Sequence, residues 1–168
     1  MHISGSTIAD YFAGDDANSS DAAVAAFNED TEREKKAKNA EAERVAAGRA
    51  RINIETDHKA IPNELQFLNN AVALKKGCYP GQETVAKINN LGKPPRRLTL
   101  LHLDGSEVEL PKSGEKVFDG ETEVGFIGTV IRHFELGPIA LAVLRKSVPL
   151  ENTLIVDGVS ASIEAINR

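Results

Sequence analysis

The second half of the chain is written in short apolar runs, separated by pairs of turn residues. Residues 97–103 alternate as a strand, and Asp104-Gly105 follows as a turn. Residues 115–118 form a second run ahead of Asp119-Gly120, and residues 122–133 a third and longer one. In that long run Val124, Phe126 and Val130 are expected to share one face, with Gly125 and Gly128 marking bends or bulges. Gly137-Pro138 then introduces the apolar residues 139–144. Residues 152–156, Asp157-Gly158 and residues 159–166 read as a closing hairpin. About six short strands within roughly 70 residues, joined by such turns, predict a small antiparallel β-barrel.

The first half has a different texture. Residues 1–20 are small and polar and read as a linker. Asp21 is placed to cap a helix that runs through alanine-rich sequence to Ala47, with Gly48 as its stop. The apolar side of this helix is thin (Val24, Phe27, Val45 and alanines), so it needs something to pack on. Residues 51–55 alternate like a short strand, Pro62 starts a turn or helix, and Leu65, Leu68 and Val72 have helical spacing. Gly81-Gln82-Glu83 opens another helix carrying Val85, Ile88 and Leu91, which Gly92, Pro94 and Pro95 end. The expected class is α+β, a helical N-terminal segment followed by a small antiparallel barrel. The expected divisions are residues 1–50, a mixed segment 51–97 and the barrel 98–168.

Composition narrows the function. The chain has 168 residues, 41% of them hydrophobic and 27% charged, with a net charge of −5. That balance argues against a nucleic-acid binder, which needs a cationic surface. The charge is unevenly placed, however. Residues 1–50 hold ten acids against six bases, whereas residues 75–97 hold six bases (Lys75, Lys76, Lys87, Lys93, Arg96, Arg97) against Glu83 alone. Such a stretch suits an anionic small molecule, and equally a solvated face. The single cysteine, Cys78, allows no internal disulfide and points to a reducing compartment. The start of the chain lacks the pattern of a signal peptide, and the longest apolar run is far too short to cross a bilayer. A cytoplasmic protein without a membrane partner is expected.

The candidate chemistry lies in Lys76-Gly77-Cys78-Tyr79-Pro80-Gly81-Gln82-Glu83. Positive charge from Lys75 and Lys76, and a helix N-terminus just after, favour thiolate over thiol at Cys78. Gly77 and Gly81 permit close approach of backbone to a flat ligand. A lone cysteine in a structural turn can equally be a small packed hydrophobe. The four histidines share no metal-ligand spacing with one another or with Cys78, and one cysteine cannot hold an iron–sulfur cluster.

This octapeptide resembles the Lys-Gly-Cys-Tyr-x-Gly-Gln-Glu signature of the YgfZ-type folate-binding proteins, relatives of the glycine-cleavage T-protein. The surroundings resemble them too: Ile61-Pro62-Asn63-Glu64, Thr84-Val85-Ala86-Lys87, Asn90 to Leu98, Val124 to Thr129 and Leu136 to Leu141. The resemblance runs from about Glu41 to the end. It implies a folate-binding accessory protein for iron–sulfur cluster assembly or repair, with tetrahydrofolate as cofactor and iron–sulfur client or assembly proteins as partners. It also implies that Cys78 is the reactive group and that Lys76, Tyr79, Gly81, Gln82 and Glu83 shape its loop. Arg96 or Arg97 would pair with the glutamyl tail of folate, and Glu64 would accept from a pterin edge. Family members are about twice this length, so an N-terminal portion that builds most of the pterin pocket is expected to be missing here. The aminomethyltransferases of the same superfamily resemble Asp-Phe-x-Gly-Arg-Glu at this position, and Cys78 sets this chain apart from them. A non-catalytic β-barrel interaction module is the third reading.

Overall fold

The structure, a computed structural model, describes residues 17–92, 94–106 and 109–166. It comprises two compact units, divided between Lys38 and Asn39. Most of the expected linker, and Lys93 of the basic stretch, lie outside the described residues.

Helix α1 spans Ala17–Ala46, starting ahead of Asp21, so residues 17–20 belong to the helix and not to a linker. From residue 25 to residue 38 this helix is a solvated one. Ion pairs at three- and four-residue spacing (Arg33 with Glu29 and Asp30, Lys35 with Glu32, Lys38 with Glu34) line its exposed surface. Phe27, expected on its apolar side, is 72% exposed.

The second unit contains the last turns of α1, a connecting segment and the barrel. Gly48 stops the helix as expected, with a positive φ of 63° and its N–H donated to the Val45 carbonyl. Residues 51–55 are a turn and not the expected strand. The Arg51 amide and carbonyl are both bonded to Glu55, its side chain and its N–H respectively, which curls the segment on itself. Residues 62–66 are likewise turns, and only Leu68–Ala71 (α2) is helical, because Gln66 at φ 61° breaks the helical path. Helix α3 covers Gln82–Leu91 between two left-handed glycines, Gly81 and Gly92.

Six strands close the barrel: β1 Arg96–Leu103, β2 Lys116–Asp119, β3 Thr122–His133, β4 Gly137–Arg145, β5 Thr153–Val156 and β6 Val159–Ala165. All pairings are antiparallel, in the order β1-β4-β3-β2-β5-β6. Asp157 and Gly158, both at positive φ, form the two-residue turn between β5 and β6 that their sequence calls for. Inside, Leu101, Leu103, Val117, Ile127, Ala140, Ala142, Leu144 and Leu154 pack together. Outside, Leu98, Leu100, Ile139, Leu141 and Val143 pack on Val45 and Leu65. Strand β4 is therefore buried on both faces, which explains why residues 139–144 are apolar without alternation. The partner that the end of α1 needed is this outer face.

Strand β3 is bulged twice. Phe118 pairs with Glu123 but Val117 with Gly125, which leaves Val124 as an extra residue. Ile127 pairs with Ala142 but Val130 with Ala140, which places a second bulge at Gly128 and Thr129. The first bulge corrects the expectation of a shared face. Val124 enters the interior core, whereas Phe126 turns to the outer one.

Candidate functional site

The Cys78 loop takes its shape from the start of α3. Gly81, at φ 79°, is the residue before that helix, and no side chain caps it. The turn leading into Gly81 is closed by the Gln82 amide on the Tyr79 carbonyl, and the Val85 amide bonds the Gly81 carbonyl. On one side of this loop lies a cavity of about 580 Å³. Its apolar walls come from Ile61 and Pro62, from Ala71 and Val72 at α2, and from Pro80 and Val85; Lys76, Tyr79, Gly81 and Thr84 supply its polar features. The Tyr79 hydroxyl oxygen is buried and has no hydrogen-bond partner among the described residues. A concave, mostly apolar site with a few polar groups is what a small ligand requires.

The motif residues divide between wall and rim. Lys76, Tyr79 and Gly81 line the cavity. Cys78 is exposed and does not line it. Gln82 is half-buried as the first residue of α3, and Glu83, exposed in its first turn, lies where a carboxylate favours the helix dipole.

Arg96 and Glu64 lie together at the start of β1. The Arg96 guanidinium donates through Nε and Nη2 to Glu64 Oε1 (3.0 Å) and Oε2 (2.8 Å), and through Nη1 and Nη2 to Asp57 Oδ2 (2.7 Å) and Oδ1 (3.0 Å). Its fork is thus used on two carboxylates at once. These hydrogen bonds hold the Asp57 carboxyl down at about 2 against the opposing effect of burial, and keep Arg96 above its ordinary value. Glu64 is 2% exposed. Arg97 is apart from this cluster: its Nη2 donates to the Val148 carbonyl (2.5 Å), and its buried Nε has no partner among the described residues.

Two acidic residues of structural weight carried no mark in the sequence. Asp57 reads as an ordinary turn residue, and nothing local says that an arginine 39 positions later closes on it. Glu55 is fully buried. Its Oε1 accepts from the Thr129 amide (2.8 Å) and hydroxyl (2.6 Å), its Oε2 from the Arg51 amide (2.6 Å), and Arg44 lies 3.6 Å away. The one available signal was Gly128, where a Cβ would come within 2.7 Å of the Glu55 carboxylate.

Among the described residues, no group of three or more His, Cys, Asp or Glu side chains converges as a metal site. No described helix is long and apolar enough to cross a membrane.

No family model matches the chain. Curated proteins do. A "tRNA-modifying protein YgfZ" of Buchnera aphidicola subsp. Schizaphis graminum is 34% identical over 116 residues, which is 64% of this chain and 35% of that protein. The protein of the same name from Colwellia psychrerythraea is 34% identical over 76 residues, 42% of this chain and 22% of that protein. A third, from Buchnera aphidicola subsp. Acyrthosiphon pisum, is 32% identical over 120 residues, 68% of this chain and 37% of that protein. The chain spans little more than a third, at most, of the curated relatives it matches. These similarities make it a YgfZ-type match, to the C-terminal half of such proteins.

Proposed function

We propose that this chain works as the C-terminal part of a folate-binding accessory protein that supports iron–sulfur cluster assembly or repair in the cytoplasm. The observation that carries the reading is the cavity beside the Cys78 loop, lined by three residues of the signature, Lys76, Tyr79 and Gly81. A flat ring system suits its apolar walls, the buried Tyr79 hydroxyl offers a donor and an acceptor, and Lys76 at the edge favours a ligand with anionic groups. Tetrahydrofolate combines those properties. Gln82 and Glu83 shape the loop, and Cys78, exposed beside the cavity wall, is the reactive group offered to client proteins. An aminomethyltransferase is the weaker reading, because the motif here carries Cys78.

The name of the matched relatives extends the proposal to tRNA modification as the process served. At a net charge of −5, the role proposed is help to a modifying enzyme and not a direct grip on RNA.

The test is calorimetry of 5-formyltetrahydrofolate, as mono- and polyglutamate, at two salt concentrations. Weak binding that tightens with added glutamates and fades with salt is expected, because exposed charges are screened over about 8 Å at physiological ionic strength. Binding should strengthen when a relative's preceding region is joined to the chain. No binding of either ligand in either form would sink the reading.

A further inference from the structure

The Ala60-Ile61-Pro62 wall of the cavity lies between two carboxylates in sequence, Asp57 and Glu64, and both close on the guanidinium of Arg96. Each carboxylate also reaches into the segment between them. Asp57 Oδ1 accepts from the Lys59 amide (3.0 Å), and Glu64 Oε2 from the Ile61 amide (3.4 Å). Two backbone bonds tighten the same loop, Ala60 N–H to the Asp57 carbonyl and Glu64 N–H to the Ile61 carbonyl. A third ties it to the barrel, since the Leu98 amide of β1 donates to the Glu64 carbonyl. Arg96 itself is fixed in the β1–β4 ladder opposite Arg145.

We propose that Arg96, held by Asp57 and Glu64, is a positioning residue that fixes the Ala60–Pro62 wall of the cavity to the barrel, and so sets the shape the ligand meets. This rests on the folate reading of that cavity. It assigns Arg96 and Glu64 an indirect part: four hydrogen bonds already occupy the guanidinium on protein carboxylates, leaving it poorly placed to take up a ligand carboxylate as well. The side-chain chemistry supports a geometric role. A planar fork can span two carboxylates with defined angles, whereas an ammonium is a point charge that imposes no plane. The low carboxyl value of Asp57 has its origin in the same arrangement.

The experiment compares the wild-type chain with Asp57→Asn and Arg96→Lys. Asp57→Asn keeps an oxygen for the Lys59 amide but loses the charge that holds Arg96. Arg96→Lys keeps the charge and loses the fork. Amide hydrogen exchange is followed at residues 59–61 and in the β1–β4 ladder, alongside the affinity for 5-formyltetrahydrofolate. Both variants are expected to speed exchange at residues 59–61 about tenfold, more than in the ladder, and to weaken binding by about tenfold, since small misplacements of a site wall are costly. Exchange that changes no more at residues 59–61 than in the ladder would overturn the proposal. So would faster local exchange with unaltered affinity. If the wild type binds no folate, the ligand reading fails separately. The same variants are then compared by binding of 1-anilinonaphthalene-8-sulfonate, an anionic aromatic probe of the cavity, with the same two outcomes deciding.

Discussion

Glu55 and Thr129 are 74 residues apart in sequence and are joined by two hydrogen bonds to one carboxylate oxygen, from the Thr129 amide at 2.8 Å and its hydroxyl at 2.6 Å. The bulge at Gly128 and Thr129 leaves that amide unused by the ladder, and Glu55 takes it up. Arg44, from the last turn of α1, completes the cluster by donating to the Thr129 hydroxyl (2.5 Å). One buried carboxylate therefore joins the end of α1, the 51–55 turn and the barrel.

Removing it should be costly. Glu55→Ala leaves the Thr129 and Arg51 amides without their acceptor and removes the carboxylate beside the mostly buried Arg44, which is expected to destabilise the second unit by about 3 kcal/mol. Urea denaturation of wild type and variant measures this. A change below about 1 kcal/mol would show that the cluster contributes little.

Gly125→Ala tests the first bulge. A Cβ at this position would run into the Val143 carbonyl oxygen and crowd Leu144, both part of the neighbouring strand's backbone. The expected loss is about 2 kcal/mol or more, because backbone in a closed ladder cannot step aside cheaply. Gly77→Ala is the control, since nothing lies within 4 Å of its added carbon. Thermal melting should separate the two variants by several degrees.

The barrel was legible because its signals are local. Alternation, Asp-Gly turns and a doubly apolar run each fix a strand without reference to the rest of the chain, and β3 begins and ends where its pattern does. Helix α3 was legible for the same reason, with glycines at both ends. Residues 51–67 were not. Their shape is set by Glu55, Asp57 and Glu64, whose partners Thr129 and Arg96 lie 32 to 74 residues away. The site divides along the same line: the signature loop was readable from its motif, while the opposite wall of the cavity and the ion pairs behind it were not.

Asp57 gives the clamp a pH signature. Its carboxyl is lowered in the folded chain from 3.8 to about 2. The unfolded state therefore takes up a proton first as pH falls, and the stabilisation is complete above pH 4 and lost as pH falls from about 4 to 2. Because the side chain is 30% exposed, screening reduces the contribution to about 1 kcal/mol. The stability gap between wild type and Asp57→Asn should narrow across that window in urea titrations. A gap that stays constant from pH 6 to pH 2.5 would show that the pair makes no such contribution.

Cys78 should be dispensable for folding. It is exposed, so Cys78→Ser is expected to shift stability by less than about 0.5 kcal/mol. The native thiol should also be alkylated by iodoacetamide without unfolding. Slow labelling that tracks the global unfolding rate would contradict this placement of the side chain.

The central claim is that the cavity beside the Cys78 loop receives a reduced folate. Two-dimensional NMR of the labelled chain, titrated with polyglutamyl 5-formyltetrahydrofolate, tests it most directly. The account predicts saturable amide shifts concentrated at Ile61, Lys76, Tyr79, Gly81 and Thr84, with the β5–β6 hairpin unmoved. An absence of shifts at millimolar ligand, or shifts centred on another face of the barrel, would contradict it.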